Sequence, residues 1–122
     1  MESEVKRKIL LVDDEFELAA SIKDALEMKN LNVLMAHSVS EGLALVEKHH
    51  QDLSFIVCDC KLSESETGFD LRKQMNDSGY KEIPLCILSG FLTKELALEG
   101  IEHAIWYLFS VIRRKFRVSL AS

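Results

Sequence analysis

Carboxylates close two short apolar runs. Lys8-Ile9-Leu10-Leu11-Val12 is followed by Asp13, Asp14 and Glu15, and Phe55-Ile56-Val57-Cys58 is followed by Asp59. An apolar run that ends on an acid reads as a buried strand with the acid at its carboxyl end. In an open parallel α/β sheet, ligands bind outside the carboxyl ends of strands. If the two strands are neighbours, Asp13, Asp14 and Asp59 converge on one point. Carboxylates so gathered repel one another, and a divalent cation held by oxygen ligands offsets that cost.

Other chemistry is weaker. Cys58, Cys60 and Cys86 are an odd set, read as small buried hydrophobes in a reducing compartment. No His or Cys follows Cys58-x-Cys60 at metal-ligand spacing. His49 and His50 are adjacent, so on a helix they point apart, and a helix C-terminus favours them as cations.

The elements that would carry these residues alternate. Strands are expected at Ile9–Val12, Asn32–Ala36, Phe55–Asp59, Ile83–Leu88 and Ala104–Leu108. Helices are expected at Phe16–Met28, with Leu18, Ile22, Ala25 and Leu26 on one face, and from a Ser38/Glu41 capping box to about Lys48. A third helix runs over Phe69–Met75 and is broken by Asp77-Ser78-Gly79. A fourth spans Leu92 to about Glu99, with Leu92 and Leu96 facing in and Gly100 ending it. A fifth spans about Ser110 to Val118, with a basic outer face, Arg113, Arg114, Lys115 and Arg117. Lys61 to Thr67 reads as a polar loop. Crossovers of about twenty residues suit right-handed βαβ units.

The chain of 122 residues is expected to be a single domain, with 48% hydrophobic and 29% charged residues. A net charge of −5 argues against general nucleic-acid binding. No signal peptide or membrane-length apolar run is read in it, so the expected location is cytoplasmic, without membrane contact.

Asp13-Asp14, Asp59 and Ser89-Gly90, each following a strand, resemble the receiver domain of two-component response regulators over about residues 8 to 117. The resemblance implies a flavodoxin-like, doubly wound five-stranded parallel sheet, order 2-1-3-4-5, with helices on both faces. It implies a signalling module and not an enzyme. Asp59 would accept a phosphoryl group from a histidine kinase or phosphotransfer protein. Asp13, Asp14, Asp59 and the backbone carbonyl of Lys61 would hold Mg²⁺. The backbone N–H groups of Cys60 and Gly90 would face the phosphoryl oxygens, and Ser89 would be the switch hydroxyl. The module would stand alone and signal by binding a downstream protein; a second copy of the chain is a further candidate partner.

The departures are specific. The family's strand-five Lys aligns with Tyr107 and its Pro with Leu108; no Lys lies between Lys94 and Lys115. The switch aromatic aligns with Ala104, with Trp106 and Tyr107 nearby, and the segment between Ser89 and Gly100 is short by about one helical turn. Ser63 stands where the loop after the acceptor usually has Pro, which leaves that loop less restrained. These departures support an alternative: a pseudo-receiver acting as a constitutive interaction module. A haloacid dehalogenase phosphatase would need Asp where Lys61 stands, and a flavodoxin would need a Ser/Thr/Gly-rich loop where Asp13–Glu15 stand.

Overall fold

The structure, a computed structural model, describes residues 8–88, 95, 96 and 98–103. The branched run at Lys8–Val12 forms β1, which lies between β2 (Asn32–Ala36) and β3 (Leu53–Asp59). β4 (Leu85–Leu88) pairs with β3, giving a parallel sheet of order β2-β1-β3-β4 among the described residues. The expected fifth strand, Ala104–Leu108, and the last helix lie outside the described residues.

α1 (Phe16–Glu27) buries Ala19, Ile22 and Leu26. With Ile9, Leu11, Val33, Phe55 and Val57 they form the apolar layer on one face of the sheet. α2 (Val39–His49) and α3 (Gly68–Asp77) cover the other face, where Val39, Val46, Leu71 and Met75 meet Leu10, Val12, Ile56 and Cys58. Alternate strand residues point to opposite faces, so a sheet covered on both sides needs runs that are apolar throughout. β1 and β3 have that composition.

The ends of the helices follow local chemistry. α1 closes through Asn30, whose φ of 66° is one that Asn tolerates. α3 closes before Gly79, at φ 91°. Ser38 Oγ accepts the Glu41 N–H at 3.1 Å, capping α2.

The helical segment after β4 differs from expectation. Gly100 does not end it; residues 98–103 are helical and Ile101 is fully buried. Leu96, expected to face in, is 53% exposed. Leu98 and Ile101 instead face the core, and they pack on the α1 side of the sheet, where Lys29 pairs with Glu102 at 3.2 Å. With Leu98 and Ile101 as the inner pair, the apolar stripe is set three residues apart along this segment, and Leu96 falls off it.

β3 begins two residues before the expected Phe55, and its first step is irregular. Lys8 pairs with Leu53 but Ile9 pairs with Phe55, so Ser54 is an extra residue against β1. The irregularity moves Leu53 to the α2/α3 face while Phe55 faces α1. It also sets the register that brings Val12 opposite Cys58.

Candidate functional site

That register decides where the acids meet. Val12 pairs with Cys58, so the next residues along, Asp13 and Asp59, leave the sheet side by side. One carboxylate oxygen from each of Asp13, Asp14 and Asp59 lies within 4.8 Å of the others. The three acids are thus brought together as expected.

Their environments differ. Asp13 is 4% exposed; its Oδ1 accepts the Glu15 N–H at 2.9 Å. Burial pushes its carboxyl up from 3.8 to about 6, opposed by that hydrogen bond and reinforced by Asp59, Asp14 and Glu15. Asp59 is half-buried and also raised, mainly by burial; the backbone N–H of Cys60 opposes the rise, Asp14 and Glu15 add to it, and the Lys61 N–H opposes it. Asp14 is exposed. The forces raising both groups are those that a bound cation relieves, and the donor set is all hard oxygen, which suits Mg²⁺.

The Cys60 N–H, expected to face a phosphoryl group, also donates to the Leu88 carbonyl at 2.8 Å and must be shared between that bond and the site. Ser89 and Gly90 lie outside the described residues, as do Lys94, Trp106 and Tyr107. Cys58 is buried, its thiol pushed up to about 12 by burial and then by Asp59, Asp13 and Cys60, so it stays protonated. Burial raises Cys86 as well.

The loop after Asp59 is more ordered by hydrogen bonds than its polar sequence implies. Lys61 and Thr67 form an antiparallel bridge, and the Gly68 N–H donates to the Cys60 carbonyl at 2.8 Å. Ser63 Oγ accepts the N–H groups of Ser65 and Glu66 at 3.2 and 3.0 Å. The hydroxyl thus supplies local hydrogen bonds at the position where the family usually has proline. Leu62, expected in a polar loop, is 2% exposed and plugs the α2/α3 side of the core. Together they fix the backbone of Lys61, whose carbonyl is a candidate ligand.

Two residues make contacts that escaped the sequence reading. Gly68 opens α3 against the end of β3: a Cβ there would stand 2.9 Å from the Asp59 carbonyl oxygen and 3.3 Å from Cys58 Sγ. Gly68→Ala should therefore destabilise the fold by roughly 1–3 kcal/mol and displace the strand end that bears Asp59. Urea unfolding measures this, and wild-type stability in the variant would refute the tight approach. The second residue is His37, directly after β2. Val12 pairs with Ala36, so His37 lies beside Asp13. No signal in the sequence marks either contact, because both depend on pairing register.

The profile of the response regulator receiver domain matches residues 9–110. A transcriptional regulatory protein of Klebsiella pneumoniae, CpxR, is 31% identical over 93 residues, covering 75% of this chain and 38% of that protein. The chain therefore matches well under half the length of that relative. Among solved structures, the response regulator PhyR from Brucella abortus superposes with a TM-score of 0.71 at 17% identity, covering 91% of this chain and 52% of that one. The receiver domain of the Francisella response regulator 1452 gives 0.66 at 22% identity, with 89% and 98% covered. At these identities the superpositions establish the flavodoxin-like parallel α/β fold.

Proposed function

The chain belongs to the response regulator receiver domain family of two-component signalling, and from that premise we propose that Asp59 accepts a phosphoryl group from a histidine kinase or phosphotransfer protein. The single observation that carries this reading is the convergence of Asp13, Asp14 and Asp59 within 4.8 Å at the carboxyl ends of β1 and β3. In the transfer, an Asp59 carboxylate oxygen forms the new O–P bond as the P–N bond of the donor phosphohistidine breaks. The leaving imidazole keeps the bond's electron pair.

Asp13, Asp14, Asp59 and the Lys61 carbonyl would hold Mg²⁺. When bound, Mg²⁺ offsets negative charge on the transferring group, against which a lone carboxylate is a poor nucleophile. Asp13 is buried, and the Glu15 N–H fixes its Oδ1. Asp59 is half-buried, and the backbone N–H groups of Cys60 and Lys61 hold its carboxylate. The Cys60 and Gly90 N–H groups would receive phosphoryl oxygens, and Ser89 would hydrogen-bond them as the switch.

The phosphorylated form would then signal by binding a downstream protein. No described helix is long and apolar enough to cross a membrane. The absence of any Lys from 95 to 114 favours the second reading, a constitutive interaction module. Intact mass after incubation with a small phosphodonor separates the two. One phosphoryl adduct, formed with Mg²⁺ and prevented by a chelator, supports transfer. No adduct from either a small donor or a phosphorylated histidine protein, together with no Mg²⁺ binding, supports the constitutive module.

A further inference from the structure

The turn that carries two of the three acids is only three residues long, from Asp13 to Glu15, between β1 and α1. Glu15, at the N-cap position, gives α1 no side-chain cap. The turn must be held by other groups. The Asp13 N–H donates to the Ala36 carbonyl at 3.0 Å, continuing the sheet by one residue. Asp13 Oδ1 takes the Glu15 N–H. The remaining backbone group of Asp13 is its carbonyl, and His37 Nδ1 lies 2.9 Å from it. A carbonyl oxygen can only accept, so Nδ1 carries the proton in this contact, in either the neutral or the charged ring. The His37 ring also lies against Phe16, centroids 4.0 Å apart, at the first residue of α1. His37 thereby touches the turn at both ends, although it belongs to neither β1 nor α1.

The geometry points to His37 as the positioning residue for the acid pair, holding the peptide between Asp13 and Asp14 so that Asp14 faces the cation site. A peptide unit is planar, so fixing the Asp13 carbonyl fixes the direction of the Asp14 N–Cα bond. Asp14 is exposed, and among the described residues it is the His37 ring that reaches this peptide from the β2 side. Rotation about the bonds flanking it would swing the Asp14 carboxylate away from Asp13 and Asp59. The inference rests on the reading of the three acids as a Mg²⁺ site, and it adds a residue that binds neither metal nor phosphoryl group.

Two variants of the full chain separate the donor from the ring. His37→Asn keeps an N–H donor one bond from Cγ and removes the ring. His37→Phe keeps a ring against Phe16 and removes the donor. Mg²⁺ affinity is measured by titration calorimetry, and unfolding is followed in chelator. The loss of one hydrogen bond predicts Mg²⁺ binding about threefold to tenfold weaker for His37→Phe. His37→Asn should stay within about twofold of wild type, because the donor is rescued. The opposite ranking, with Phe tolerated and Asn impaired, would make His37 a packing residue and overturn the proposal. Wild-type affinity in both variants would overturn it as well, while leaving the Mg²⁺ site standing. If the wild type itself binds no Mg²⁺, the site reading fails and this inference falls with it.

Discussion

Asp59→Asn is expected to gain no phosphoryl group under conditions that give the wild type a single adduct. The amide oxygen is neutral and a far weaker nucleophile than the carboxylate it replaces. Asp13 cannot take over, since it is 4% exposed and its Oδ1 is engaged by the Glu15 N–H. Intact mass measures the result, and an adduct of equal yield on the variant would remove Asp59 as the acceptor. The variant should fold without loss. In the wild type, burial and the negative charges of Asp14 and Glu15 raise the Asp59 carboxyl, so its ionised form is held at a cost in the metal-free protein. Removing that charge should leave thermal stability equal or higher. A marked loss of folding would contradict the picture of three mutually repelling acids.

Asp13→Asn should have a large effect on stability and reverse its sign when Mg²⁺ is present. The Asp13 carboxyl rises from 3.8 to about 6 on folding. A group raised in the folded state binds more protons there than in the unfolded chain between those two values. Stability then falls as pH rises from about 4 to about 6, and the full cost is present above that window. At about 1.4 kcal/mol per pH unit, this corresponds to at most about 3 kcal/mol. In chelator at pH 7, Asp13→Asn should therefore be more stable than wild type by about 1–3 kcal/mol. The wild-type excess of stability toward pH 4 should shrink in the variant, and the difference between the two proteins isolates Asp13 from other carboxylates. Added Mg²⁺ should stabilise the wild type through binding to its folded state, and stabilise the variant much less. Urea titrations at several pH values, with chelator and with Mg²⁺, check all of this. A variant less stable than wild type at pH 7 in chelator would show that Asp13 is not strained.

The acid site was legible in the chain because it is written at the ends of apolar runs. Strand composition announced β1, β2 and β3, and the acids Asp13, Asp14 and Asp59 stood where strands end. The resemblance to receiver domains followed from those acids together with Ser89-Gly90, and the family profile over residues 9–110 bears it out. Less was legible in the helix after β4. Leu92 and Leu96 were expected inside, whereas Leu96 is exposed and Leu98 and Ile101 face the core. In a short segment with leucine and alanine on several sides, periodicity does not select a face; the sheet surface it docks on does.

The sequence by itself determined the alternation of strands and helices, the apolar layers on both faces of the sheet and the acids at the strand ends. Those are local properties: residue type, spacing and the conformations each residue favours. Tertiary structure alone decided the contacts that make the acids one site. The extra residue at Ser54 sets β3 against β1 so that Asp59 emerges beside Asp13. The pairing of Val12 with Ala36 delivers His37 to the Asp13 carbonyl. Gly68 leaves room for α3 to start against the Asp59 backbone. Each depends on strand register and close approach between segments distant in sequence. A slip of one residue would reverse which side chains face which layer while leaving the local pattern of residues unchanged.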